Sequence, residues 1–226
     1  MDSTALLELF RSDVRDTSEP YLWEDAEIFS YMDDAQKMFC RLQGGIADSS
    51  SALTLLEISA GDKFAAYDPR ILKLRSAYRE DNGREIELLN YEDLQFRQAE
   101  SDYGYRPGFR IDNSEGELRA LILGMEANRV RLWRIPTEAQ DIRLVVYRLP
   151  LETISAPGQV LEIDEVHHRH LLHWMKHLAH QKQDAETYDR GRAEQFRTEF
   201  LAYCDQAKAE REKREHKFRT IAYGGY

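Results

Sequence analysis

Six of the seven histidines lie between His167 and His180, in the run HHRHLLHWMKHLAH. On a helix, His170, His173, His177 and His180 share one face, and two imidazoles so placed can reach one metal ion. A catalytic zinc site also needs a third ligand and a general base, and this run has neither the HExxH order nor an acid inside it. The favoured reading is an amphipathic helix whose neutral histidines edge a packed face beside Leu171, Leu172, Trp174 and Leu178.

Other chemistry is thinly supported. Asp33-Asp34 and Asp164-Glu165 are adjacent carboxylates that point to different sides of a helix, so cap and surface roles explain them. No phosphate-cradling GxxxxGK[ST], no GxGxxG and no GxSxG occurs. Cys40 and Cys204 are far apart, each inside a helical pattern with aromatic neighbours, which predicts two buried, reduced thiols. The stretch YGYRPGFR sets aromatics against Arg106 and Arg110 and suits stacking on bases or on another protein. In so acidic a chain the protein contact is favoured. The sequence therefore assigns no catalytic residue, no metal and no cofactor.

The elements that must carry these residues follow from periodicity. Thr4 to Asp16 predicts a short helix capped by Ser3 or Thr4, with Leu6, Leu7, Leu9 and Phe10 apolar. From Glu24 to Leu42, the apolar residues Ile28, Tyr31, Met32, Ala35, Met38, Phe39 and Leu42 draw one helical stripe that Gly44-Gly45 ends. Between Ala52 and Leu149 the text reads as strands: ALTLLEIS, then LKLRSAY and REIELLN across Asn82-Gly83, a pair that supplies the positive φ values of a tight hairpin. ELRALILG, NRVRLWRI and DIRLVVYRL follow. Val130 and Leu132 alternate with Arg129 and Arg131, as in a sheet with one wet face.

After Pro157-Gly158 the helical period returns. Asp164 caps a helix to about Gln181. Asp189 caps another, with Ala193, Phe196, Phe200, Tyr203 and Ala207 as its buried stripe. Its end, QAKAEREKREHK, has alternating charges and little to bury, and reads as a solvated or partner-facing helix.

These readings give an α+β protein. Residues 1–50 and 160–216 form a helical bundle, 51–159 a central antiparallel β-rich insert, and 217–226 an extended C-terminal tail.

With 226 residues the chain can bury a real core. A formal net charge of −10 disfavours a phosphate-neutralising surface and hence a nucleic-acid reader. No basic n-region with an apolar stretch opens the chain and no window is long enough to cross a bilayer, so the expectation is a protein that stays in the cytoplasm where it is made. The end, KFRTIAYGGY, has two readings, a disordered terminus or a binding segment, and its content of Phe, Tyr and Ile stands against the first.

Three stretches carry a resemblance. YLWEDAEIFSYMDDAQKMFCR is similar to the opening helix of the head-to-tail connector, or adaptor, proteins of tailed bacteriophages. VHHRHLLHWMKHLAHQKQDAETYDRGRAEQFRTEFLAYCDQAKAER is similar to their paired C-terminal helices. RTIAYGGY resembles the basic-aromatic-Gly-Gly finish of several adaptors. The resemblance implies a non-enzymatic virion protein at the head-tail junction, a homo-oligomeric ring of about twelve copies. That ring sits beneath the portal protein, above tail or nozzle proteins, and genome DNA passes through it without specific binding. It implies portal contact by Phe218, Arg219, Ile221, Tyr223, Gly224, Gly225 and Tyr226, with Phe218 the hinge-side anchor and the glycines allowing close backbone approach. A ring of about twelve would carry roughly −120 in formal charge, which repels DNA phosphates. The density of histidines is not a feature of that resemblance. Two other classes stay open: an enzyme with a metal on the His-rich helix, and a helical interaction module that is monomeric or dimeric without portal affinity.

Overall fold

The structure, a computed structural model, describes residues 1–94, 111, 113–184 and 186–215. The Tyr103 to Arg110 stretch and the sequence-predicted contact residues Phe218, Arg219, Ile221, Tyr223, Gly224, Gly225 and Tyr226 lie outside the described residues. The protein is mixed α+β, and its chain divides into two compact units. One spans Met1–Gly45 and resumes at Pro150, and the other is Ile46–Leu149.

In the first unit, helix α1 (Ser3–Val14) starts at Asp2, not at Ser3 or Thr4, because the Asp2 carboxylate accepts the Ala5 N–H at 2.9 Å. It buries Leu6 and Phe10 completely. Helix α2 (Asp25–Gln43) opens with a capping box between Glu24 and Glu27 and closes on Gly44 at φ 104°. Its buried stripe of Ile28, Met32, Ala35 and Phe39 keeps the three-and-four spacing of the sequence, and each large side chain so buried contributes about 1.5–3 kcal/mol.

The loop from α1 to α2 is held by one cation. Arg11 donates to Asp16 at 2.8 Å and to the Trp23 carbonyl at 3.1 Å, pairs with Asp25, and lies over the Tyr21 ring. Asp16, itself buried, accepts the Leu22 and Trp23 N–H groups. The chain thus enters α2 at a fixed point.

Helix α3 (Glu165–Ala179) packs against α1, α2 and α4, and helix α4 (Arg190–Glu215) begins at Asp189, whose carboxylate accepts the Arg192 N–H at 3.0 Å. The segment before α3 is strapped to the first two helices. Ser3 donates its N–H to the Gln159 carbonyl at 2.8 Å, Asp33 accepts the Ile154 N–H at 3.1 Å, and Gln36 accepts the Glu162 N–H at 3.0 Å. Asp33 and Gln36 are polar interruptions in the α2 stripe, and the strap gives each oxygen an N–H to accept, while the Gln36 amide nitrogen is buried without a partner.

The second unit is a curled sheet. Its strands are β1 (Ile46–Asp48), β2 (Leu55–Ile58), β3 (Phe64–Ala66), β4 (Ile71–Arg79), β5 (Glu85–Asn90), β6 (Ala120–Glu126), β7 (Arg129–Trp133) and β8 (Gln140–Arg148). They run in the order β1-β8-β4-β5-β6-β7-β3, with β2 sharing the β1 side of β8. Every other residue faces inward, so that Ile142, Leu144, Val146, Val130, Leu132, Leu121, Ile86, Leu56 and Ile58 enclose one core. A smaller cluster of Leu89, Leu94, Ala120 and Ile122 lies apart from it.

Three expectations are corrected here. The sheet is not wholly antiparallel, since β5 and β6 pair in parallel from Glu87↔Ala120 to Asn90↔Leu123. The β4–β5 hairpin is not a two-residue turn. Arg79 and Arg84 close a longer loop in which Gly83 alone takes a positive φ, 67°, while the Asn82 side chain accepts the Arg84 N–H. Arg131 is not on a wet face. It is 5% exposed, donates to the Lys63 carbonyl at 3.2 Å and Asn113 at 2.7 Å, and lies over the Phe64 ring of edge strand β3. An arginine is tolerated there because its fork is satisfied and its stem packs.

Candidate functional site

The histidine-rich run is α3, and its position explains its composition. Two tryptophans fix the helix. Trp23 donates its indole N–H to the Ala179 carbonyl at 3.2 Å, closing the C-terminal end, and Trp174 donates to Asp34 at 2.8 Å. So held, α3 turns His170, His173, His177 and His180 towards α4, as the spacing predicts.

Each imidazole then meets a defined partner. His177 Nδ1 lies 2.8 Å from the Ala193 carbonyl and His180 Nδ1 3.2 Å from the Thr187 carbonyl; both rings are buried. A carbonyl oxygen can only accept, so in each ring Nδ1 carries the proton. His180 also stacks on Phe196 at 5.8 Å between centroids and 11° between planes. His173 Nδ1 sits 3.0 Å from a Glu199 carboxylate oxygen. His170 lies flat on Tyr203, 3.5 Å between centroids and 12° between planes, while His167 Nδ1 meets the Tyr203 hydroxyl at 2.8 Å. His168 faces the other way, buried, with Nε2 donating to the Ile163 carbonyl at 2.9 Å.

Electrostatically the seam favours neutral rings. Burial pushes His167, His170 and His173 below the ordinary histidine value, and for His173 the Glu199 carboxylate pulls the other way. Burial likewise pushes the Tyr203 hydroxyl up, and it pushes the Cys204 thiol up to about 12. Cys40 and Cys204 are both buried and form no disulfide. Among the described residues no group of three or more His, Cys, Asp or Glu side chains is placed to hold a metal ion. The face that the spacing offers to a metal is spent on helix packing, with stacking and Nδ1–H bonds to α4 and its approach.

Beyond the seam, α4 leads to the C-terminal segment. Its buried residues are Ala193, Phe200, Cys204 and Ala207, with Phe196 and Tyr203 half-buried beside them. The charged end does not all project, however. Arg211 Nη1 donates to the Gly45 carbonyl at 2.6 Å, to Gln43 Oε1 at 2.9 Å and to the Gln43 carbonyl at 3.4 Å. Sequence reasoning missed this tie. The signal was present, because Arg211 occupies the next place in the stripe four residues after Ala207. From Glu212 to Arg214 the residues are exposed, and the predicted contact residues Phe218 to Tyr226 follow, outside the described residues.

The arrangement is that of a helical unit whose histidine face packs against its last helix, with no assembled acid-base or nucleophile set among the described residues. No helix of the described residues is long and apolar enough to cross a membrane. No curated protein matches the chain. Residues 1–221 match the family model described as SU10 adaptor protein. The chain therefore belongs to the SU10 adaptor protein family, a family of bacteriophage head-to-tail adaptors.

Proposed function

We propose that the protein is a structural component of the virion that assembles as a ring of about twelve copies between portal and tail, and through which DNA passes. In this reading the helical segments 1–50 and 160–216 build the ring. Residues 217–226 grip the portal. Phe218, Arg219, Ile221, Tyr223 and Tyr226 supply side chains for partner pockets, and Gly224-Gly225 permits close backbone approach. The protein acts without a cofactor and without catalysis.

The observation that carries the reading is the family match over residues 1–221. The course of α4 supports it, since that helix is anchored through Arg211 and exposed from Glu212 to Arg214, the last turn before the residues assigned to the portal. The net charge of −10 per chain supports passage of DNA without adhesion.

The test mixes purified protein with the portal of its phage, with and without residues 217–226, and looks for decorated portals by electron microscopy. Full-length protein decorates and the truncated form does not. If full-length protein never decorates, the adaptor function fails; equal decoration by both forms removes only the role given to the terminal residues.

A further inference from the structure

We propose that Arg211 is the positioning residue for the C-terminal segment, fixing the place and direction in which the chain leaves the helical unit. Its functional consequence rests on the adaptor reading above, whereas the clamp itself rests on geometry.

Helix α4 is 26 residues long, yet its buried apolar stripe stops at Ala207. Lys208, Ala209, Glu210, Glu212, Lys213 and Arg214 are exposed. Two turns of helix with no buried face fray readily, because helical bonds alone barely offset the ordering of the chain. Arg211 stands in the middle of those turns and is half-buried.

Its guanidinium reaches the Gln43 carbonyl, left without an intrahelical donor at the negative end of the α2 dipole, and the Gly45 carbonyl just beyond the helix. The double glycine fits this approach. Gly44 and Gly45 take φ values of 104° and 90°, turning the chain so that the Gly45 carbonyl faces Arg211 Nη1. A Cβ at Gly44 would lie 3.6 Å from that nitrogen, in ordinary contact. The side-chain amide oxygen of Gln43 completes the acceptor set. One cation thereby ties the last turns of α4 to the residue that immediately precedes β1, and the direction of the helix from Glu212 to Glu215 is set from that point.

The experiment is amide hydrogen exchange on the full chain, followed by portal titration. In Arg211→Ala, amides 208–214 exchange about tenfold faster or more while those of 193–204 are unchanged. Arg211→Lys falls between, since an ammonium keeps the charge but not the fork. Gln43→Ala, which removes one acceptor and leaves Arg211, shifts the same amides in the same direction. Portal affinity of Arg211→Ala then drops about tenfold with residues 217–226 still present, because a wandering base lowers the population of the docking geometry. Unchanged exchange at 208–214 in all three variants overturns the clamp. Faster exchange with unaltered portal affinity overturns the positioning role. A wild-type protein that never decorates the portal removes the adaptor reading and with it the functional consequence, while the exchange data still decide the clamp.

Discussion

A histidine in a helix seam has two ring nitrogens to account for, and α3 accounts for them by lending one to α4. Such a ring offers aromatic stacking, as His170 does on Tyr203 and His180 on Phe196, together with a donor for a stray carbonyl near the start of a neighbouring helix. Leucine would supply neither. The cost appears on acidification. His167, His170 and His173 are pushed down by burial, so the unfolded chain binds their protons more readily than the folded one. Their neutral-state contribution is complete above the ordinary histidine value of about 6.5 and is lost as pH falls below it. The groups facing them are Tyr203, Glu199, Glu210 and Arg214 from α4, Asp13 from α1, and Asp164, Arg169 and Lys176 from the approach and body of α3. Urea midpoints therefore decline from pH 7.5 to 5.5, and the decline flattens in a His167→Gln, His170→Gln, His173→Gln variant. A midpoint that rises on acidification over that interval would contradict the neutral seam.

At the scale of elements, short pieces depend on single contacts. Strand β1 has three residues and pairs with β8 from Ile46↔Arg148 to Asp48↔Val146. What holds it is the ion pair of Asp48 with Arg148, both nearly buried. Burial alone would push the Asp48 carboxyl up, but bonds from Ser51, Ser50 and Arg148 hold it well below the usual carboxylate range. Asp48→Ala leaves the Arg148 guanidinium without its carboxylate and costs about 3–5 kcal/mol, read by equilibrium urea unfolding. On α4, Phe200 is fully buried and meets Trp174 of α3 at 5.1 Å. Phe200→Ala lowers stability by about 3–5 kcal/mol through the cavity it opens, and a loss below about 1 kcal/mol would mean that the seam collapses around it.

The same elements show what a single chain discloses. α2, α3 and α4 were legible because each has a stripe repeating at three and four, although Asp164, at the start of α3, makes no side-chain cap bond. The strands β6, β7 and β8 were legible by alternation and residue type. β1 and β3 were not, for three residues hold less than two periods of any pattern. The parallel β5–β6 pair was hidden because strand neighbours are chosen by the whole sheet. Arg131 and Arg211 misled for one reason: charge suggests water, while a long stem with satisfied donors can be buried. For the candidate site, the histidine face was readable from spacing, but its use was not, since Ala193, Thr187 and Tyr203 reach it only through tertiary packing.

For the whole molecule, the governing quantity is the charge of −10. In the proposed ring such chains stand side by side, so part of the contact energy must offset mutual repulsion. That repulsion is long-ranged at about 10 mM salt, where the Debye length is roughly 30 Å, and is cut to roughly 8 Å at about 150 mM. On that proposal, assembly on the portal is expected to be stronger at the higher salt, opposite to the behaviour of a ring held mainly by pairing of unlike charges. The same proposal makes assembly depend on the template, because a subunit that meets its neighbours only once docked gains their burial by mass action at the portal surface. Decoration counted by electron microscopy at the two salt concentrations, with free protein sized in parallel, reads both terms at once. Decoration that falls with salt would show that unlike-charge contacts outweigh net repulsion between subunits, and rings forming without portal would show that the template is dispensable.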